Sequence, residues 1–219
     1  MTVSPEAFAA ALAEENRRTL DELGAKSASG EGPAASVAAL LKVALRNELE
    51  ASELAAAWMA DTPELEAKLA FARQCGDEAK HYRWIAERLG ALGEDLRGFD
   101  PAAAGPSPLL SFLKSLTSTV ERAAAGPFTR EAIAVTRNEV FAAFCEEKGD
   151  PETARLYRER IQPDEQHHHD LGRRLLLAFA TTEEAQARAR AAARETLRIA
   201  DEVQEMARLK AGLCRLPGC

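Results

Sequence analysis

The chain has no uninterrupted apolar run of roughly 18 residues or more, so no membrane span is expected. It also lacks a basic excess. Lys and Arg number 28 against 35 Asp and Glu, and the formal net charge of −7 argues against nucleic acid as a partner. The first residues, MTVSPEAFAAALAEE, have neither the basic segment nor the apolar core of an export signal, so a cytoplasmic location is expected. Cys75, Cys145, Cys214 and Cys219 show no CxxC spacing, and free or buried thiols are expected in place of a disulfide framework. Runs of β-branched residues are scarce, Ala dominates many stretches, and the chain reads as all-α. A hydrophobic content of 46% suffices for one substantial core with extensions.

Gly and Pro cluster at a few points and divide the chain there. Ser4-Pro5-Glu6 reads as an N-cap with proline at the first helical position, opening a helix to about Leu23. Lys26 to Ala35 reads as a flexible link, and a second helix should run from about Ser36 to Ala60. Asp61-Thr62-Pro63-Glu64 gives a tight turn with a cap and a starting proline, and the next helix reaches about Leu89. Gly90 to Pro108 holds four Gly and three Pro, too irregular for a helix but long enough to cross a bundle. The third bundle helix should start near Ser107-Pro108, break or kink at Gly126-Pro127, and resume to Lys148. Gly149-Asp150-Pro151-Glu152 repeats the stop, cap and proline start, and the fourth helix runs to about Ala180. Thr181-Thr182-Glu183-Glu184 fits a capping box, opening a last helix to about Gly212, with a disordered tail after it. Three parts follow: an N-terminal helix and linker (1–35), a bundle of two tight hairpins joined by one long connection (36–180), and a C-terminal helix with its tail (181–219).

The two hairpins echo each other. Asp77-Glu78-Ala79-Lys80-His81 in the second bundle helix matches Asp164-Glu165-Gln166-His167-His168 in the fourth, each following a proline-started turn. Glu and His three apart share a helix face, so a carboxylate and an imidazole can bind one metal together. All four histidines lie in these two segments: His81, His167, His168 and His169. One Glu-x-x-His is common by chance in Glu-rich helices, whereas two at matching depth are a specific signal.

Face arithmetic sharpens it. At about 100° per residue, Glu78 falls among Phe71, Cys75, Tyr82, Ile85 and Leu89, opposite Arg73, Lys80, Arg83 and Glu87. Glu165 shares a stripe with Ala154, Ile161, Gly172, Leu176 and Phe179. Carboxylates within apolar stripes are costly unless paired or bound to metal. In the first bundle helix Glu48 lies among Leu41, Ala44, Leu45, Ala51, Ala55 and Met59, while Glu50 and Glu53 fall on the polar side with Lys42 and Arg46. The third helix offers two candidates. Arg137-Asn138-Glu139 repeats Arg46-Asn47-Glu48, which favours Glu139, but Glu139 lies opposite Ile133, Val140, Phe141 and Phe144. Glu131 sits at the edge of the apolar arc and precedes Glu165 by 34 residues, close to the 30 between Glu48 and Glu78. Glu131 is favoured and Glu139 is the alternative.

These motifs resemble the ferritin-like di-iron carboxylate superfamily, within it the O2-activating and rubrerythrin-like branch. The Asp-Glu-x-Arg-His pattern, with a Glu about thirty residues earlier, reads here Asp77-Glu78-Ala79-Lys80-His81, with Lys in place of Arg. His167 stands at that position in the second copy. The resemblance covers about residues 36–180 and implies a ferritin-like four-helix bundle with additional N- and C-terminal helices. It implies two iron ions, with manganese open in either position. Glu48, Glu78, His81, Glu131, Glu165 and His168 are the implied ligands, Glu78 and Glu165 the bridging pair. Asp77 and Asp164 would hydrogen-bond the ligand imidazoles.

Ser52, Cys75, Tyr82, Arg158, Gln162 and His169 fall on or beside the metal-facing stripes. Tyr82 and Cys75 read either as core packing or as pocket wall. Arg158 either pairs with a neighbouring acid or receives an anionic substrate group. His169 reads as a group behind the ligands or at the pocket. The small residues Ala44, Ala51, Ser52 and Ala55 should leave room for a substrate. The expected activity is an O2-dependent oxidase or hydroxylase acting on a small organic molecule, supplied with electrons by an external donor or by the substrate, in a homodimer. The competing readings are ferroxidase or iron handling, rubrerythrin-like peroxide reduction, and a vestigial site. The absence of a CxxC pair module lowers the peroxide-reductase reading.

Overall fold

The computed structural model describes residues 2–29, 35–212 and 214–218. Among the described residues the chain is all helical, without a strand. Its helices are α1 (Pro5–Ser29), α2 (Val37–Asp61), α3 (Leu65–Ala91), α4 (Pro108–Ser115), α5 (Thr119–Ala123), α6 (Glu131–Glu147), α7 (Pro151–Leu156), α8 (Gln162–Phe179) and α9 (Glu183–Ala211). π-Helical segments at Ala124–Arg130 and Tyr157–Ile161 join α5 to α6 and α7 to α8. Four long helical stretches thus form the bundle: α2, α3, α5 through α6, and α7 through α8.

Most starts follow their capping chemistry. Ser4 accepts from the Ala7 amide, Ser36 from Ala39, Ser107 from Leu110, Asp150 from Thr153 and Thr182 from Ala185. Several boundaries differ from expectation. α1 continues six residues past Leu23, so Lys26–Ser29 is helix and not linker; residues 30–34 of the expected link lie outside the described residues. Pro63 precedes α3 instead of starting it, and the N-cap there is Glu64. The helix opened by Pro108 stops at Ser115. A capping box between Ser118 and Glu121, missed in the sequence, starts the third stretch afresh.

Gly126-Pro127 does not simply kink the helix. Pro127 offers no N–H, and the backbone accommodates it by widening into a π-helix. Two glycines make room there. A Cβ on Gly172 of α8 would lie 2.3 Å from the Phe128 amide nitrogen, and one on Gly126 would lie 2.5 Å from the Trp58 ring. The second π segment ends two residues before Pro163.

Each bundle stretch reads apolar, acidic, apolar along its length. One core holds Trp58, Phe71, Leu113, Phe128 and Leu176. The other holds Leu41, Leu45, Ile85, Phe141, Tyr157 and Ile161. Glu48, Glu78, Glu131 and Glu165 fall between the two, each at most 4% exposed. α1 and α9 lie against the bundle. Asn16 of α1 donates to Thr129 of the first π segment across a buried 2.9 Å contact, and Arg137 of α6 donates to Gln204 and to the Ala200 carbonyl of α9.

The segment after α9 departs from expectation as well. Cys214 and Arg215 are half-buried, and Leu216, Pro217 and Gly218 are buried against the bundle, not disordered. Gly212 caps α9 in the left-handed region, with φ of 62°, which turns the chain back toward α2 and α6.

Candidate metal centre

Six side chains from the four bundle stretches converge between the two cores. Ligand-type atoms of Glu48, Glu78, His81 and Glu165 lie within 4.8 Å of one another, and so do those of Glu78, Glu131, Glu165 and His168. Both groups are fully buried, and Glu78 and Glu165 belong to both. His81 Nδ1 lies 3.3 Å from Glu48 Oε2, 3.3 Å from Glu78 Oε2 and 3.9 Å from Glu165 Oε1. His168 Nδ1 lies 3.5 Å from Glu165 Oε2, 3.6 Å from Glu78 Oε1 and 3.9 Å from Glu131 Oε2. Each shared carboxylate therefore turns one oxygen to each imidazole.

The imidazoles are held from behind, and crosswise. His81 Nε2 donates to Asp164 Oδ2 and His168 Nε2 to Asp77 Oδ2, both at 3.2 Å. Each aspartate, adjacent in sequence to one hairpin's Glu, thus orients the histidine of the other hairpin. Lys80, at the position where the motif's Arg would stand, lies 2.9 Å from both Asp77 and Asp164 and ties the two together. With Nε2–H committed outward, Nδ1 faces the carboxylates. Both Nδ1 atoms and Glu165 Oε2 are buried without a hydrogen-bond partner, because their close neighbours are not aligned to accept or donate. Buried polar atoms left unpaired are rare, and their presence within two groups of carboxylates suits bound cations.

Two residues that the sequence reading missed hold the third carboxylate. Gln74 Nε2 donates to Glu131 Oε1 at 2.7 Å, and Arg130 Nη1 donates to the same oxygen at 3.0 Å. Glu131 Oε2 is left toward His168. Gln74 was visible as a polar residue one turn before Glu78 on the same face. Arg130 carried no signal, because its inward direction depends on the π-helix.

The electrostatics follow from crowding acids in a dry interior. Burial and the Glu78 charge push Glu48 up to about 7 against the pull of His81. Burial and the charges of Glu78 and Glu131 raise Glu165 well above the usual range. For Glu78 burial is outweighed by His81, His168 and Arg130, and it stays ionised. Burial would lower both imidazoles, but Glu48 and Glu78 push His81 up to about 12, and Asp77 and Glu165 push His168 up to about 11. Asp77, despite partial burial, is held far below the carboxylate range by His168 and Lys80. Protons on the histidines thus occupy the role that metal cations can take over.

The remaining candidates fall elsewhere. Glu139 is exposed and, with Glu146, pairs Arg158 on the surface, so neither Glu139 nor Arg158 reaches the centre. Arg158 is thus paired with neighbouring acids, the first of its two expected roles. Its face is turned outward by the π segment it occupies. Tyr82 is half-buried against the second core. His169 Nδ1 donates at 2.7 Å to the Phe128 carbonyl and stacks on the Phe128 ring, so it braces the first π segment. Ser52 donates to the Cys75 carbonyl between α2 and α3, and Gln162 to the Val135 carbonyl. Ala44 is core packing, and Ala51 lines a cavity. That cavity, of about 70 Å³, lies beside the centre, between Asn47, Leu54, Arg130, Val203 and Leu216.

Compared with known proteins, the chain matches no family model, no curated protein and no solved structure.

Proposed function

We propose that this is a ferritin-like di-iron carboxylate protein that uses O2 to oxidise or hydroxylate a small organic molecule. The observation that carries the reading is the pair of overlapping buried clusters sharing Glu78 and Glu165, with two unpaired imidazole nitrogens facing them. Three carboxylates and one imidazole on each side, of which two carboxylates are common, suit a pair of hard divalent cations. In this reading His81 with Glu48 completes one position, and His168 with Glu131 completes the other. Two iron ions held so close would supply two electrons to O2 together.

The chain's own residues perform the supporting work. Asp77 and Asp164 fix the imidazole tautomers, and Lys80 holds both aspartates. Gln74 and Arg130 fix the Glu131 carboxylate, and Arg130 also sets a positive charge 4.0 Å from Glu78 Oε1. The apolar layers on either side exclude water, which strengthens every charge interaction inside.

Anaerobic Fe(II) loading followed by an O2 pulse, watched by stopped-flow absorbance, tests the reading. About one O2 should be consumed per site, after which the reaction stalls until a reductant or substrate is added. Oxidation of many Fe(II) per chain with retention of a soluble ferric core would replace this reading with iron storage.

A further inference from the structure

We propose that residues 214–218 form a lid over the metal centre, clasped by Asn47 and Asn138, and that opening this lid admits ions and substrate. The inference rests on the metal reading above and extends it to access.

The clasp is one peptide unit held from two sides. Asn47 Nδ2 donates to the Pro217 carbonyl at 3.0 Å, and the Gly218 amide donates to Asn138 Oδ1 at 2.7 Å. The carbonyl and the amide belong to the same Pro217–Gly218 bond, so the two asparagines read its acceptor and its donor. They are the middle residues of the repeated Arg-Asn-Glu motifs, one on α2 and one on α6, which the metal set does not explain. The motif's arginines fix chain crossings: Arg46 donates to the Gly105 carbonyl, and Arg137 to the Ala200 carbonyl. The asparagines take the lid, and only the first motif's Glu turns to the centre.

The lid lies against Glu48 and lines the cavity. A Cβ built on Gly218 would lie 3.9 Å from Glu48 Oε1 and 3.6 Å from Asn47 Nδ2, so the backbone passes directly over the Glu48 carboxylate. Gly218 takes φ of +66°, a region open to glycine and strained for other residues. Leu216 forms one wall of the cavity beside Arg130. With Leu216 in place the cavity is small, and swinging Leu216 out would widen it.

Its described attachments come from side chains and not from a helix or a disulfide. Leu216 is one buried apolar side chain, and two side-chain hydrogen bonds anchor the peptide. The Arg215–Glu147 ion pair joins an Arg215 side chain 24% exposed to a Glu147 side chain 60% exposed, and the guanidinium lies 5.2 Å from the centre of the Phe144 ring. Set against the entropy of ordering five residues outside any helix, this is the profile of a segment that opens far more readily than the bundle beneath it. A cover that excludes water when shut and parts on a faster timescale than the fold is what gating requires.

The test uses Co(II) as the probe, in the full chain, in Asn138→Ala and in a chain ending at Gly212. Each is loaded anaerobically with Co(II), and loss of its visible absorption is followed after EDTA is added. Losing one anchoring hydrogen bond should raise the open fraction about tenfold. Asn138→Ala should therefore release Co(II) about tenfold faster, and the shortened chain faster still, with an unchanged two-ion stoichiometry. Hydrogen exchange of the Gly218 amide should show protection in the full chain with or without metal, and its loss in Asn138→Ala. Equal release rates, an unprotected Gly218 amide, or a shortened chain that no longer binds Co(II) would overturn the lid. A full chain that takes up no Co(II) while its Gly218 amide stays protected would instead refute the metal reading.

Discussion

Binding of Zn(II) or Co(II) should drive more than about two protons per chain into solution at pH 7. His81 and His168, pushed up to about 12 and about 11, are both imidazolium at that pH in the metal-free protein, and each must surrender Nδ1–H to bind. Glu48, at about 7, gives up about half of one more, and Glu165, raised by burial and by the charges of Glu78 and Glu131, adds to the release. Isothermal titration calorimetry in buffers of differing ionisation enthalpy reads the number directly from the slope of observed enthalpy. The same shifts fix the pH dependence. The histidines' folded values lie above their ordinary 6.5, so their contribution to metal-free stability is complete below 6.5 and lost as pH rises toward 11 and 12. Glu48, also raised, lets stability fall as pH climbs from 4.5 to about 7. Metal affinity moves the other way, because fewer protons remain to displace. At a free metal concentration of about 100 Kd one ion adds about 2.7 kcal/mol, which is about 5–11 °C in Tm for a chain of this size. That increment, at fixed total metal, should grow between pH 6 and pH 8. Release of one proton or none, or an increment that shrinks with pH, would mean that the imidazoles keep their protons and the ions bind elsewhere.

Glu131→Gln should cut metal affinity by more than the roughly 100-fold expected for an outer hydrogen-bonding partner, whereas Glu139→Gln should leave it unchanged; equilibrium dialysis of both variants decides. Lys80→Ala frees both aspartates and should weaken metal binding about 10- to 100-fold, with the circular dichroism spectrum of the wild type retained. Gly172→Ala places a methyl group against the backbone of Pro127 and Phe128. It should cost about 3 kcal/mol, lowering Tm in a thermal melt by roughly 6–12 °C; an unchanged Tm would show that α8 and the π segment separate easily.

The helix framework was legible because the caps and proline starts are local signals. Ser36, Ser107, Asp150 and Thr182 each act where the sequence placed a helix start. Glu48, Glu78, Glu131, Glu165, His81 and His168 were legible for a different reason. An acid inside an apolar stripe has a period, and the period survives in helices that pack straight. Geometry that depends on a change of helical register was not legible. Pro127 announces a disturbance, but whether it kinks the helix or widens it depends on Gly172 and Gly126 yielding space from other helices. The direction of Arg130 follows from that outcome, and Arg158 lies in the second π segment, which the sequence did not announce. The segment after α9 was misread as disordered because its composition offers no periodicity. Its order comes from Asn47 and Asn138, residues more than 75 positions away. The crosswise pairing of Asp77 with His168 and Asp164 with His81 is likewise a tertiary fact, invisible along either helix.

Anomalous diffraction from crystals of the Fe(II)-loaded protein tests the central claim most directly. Two peaks are expected about 3.5–4 Å apart, both within bonding distance of Glu78 and Glu165. One peak should lie beside His81 Nδ1 and Glu48, the other beside His168 Nδ1 and Glu131. A buried cluster without a peak, or iron found only at exposed carboxylates, would contradict the account.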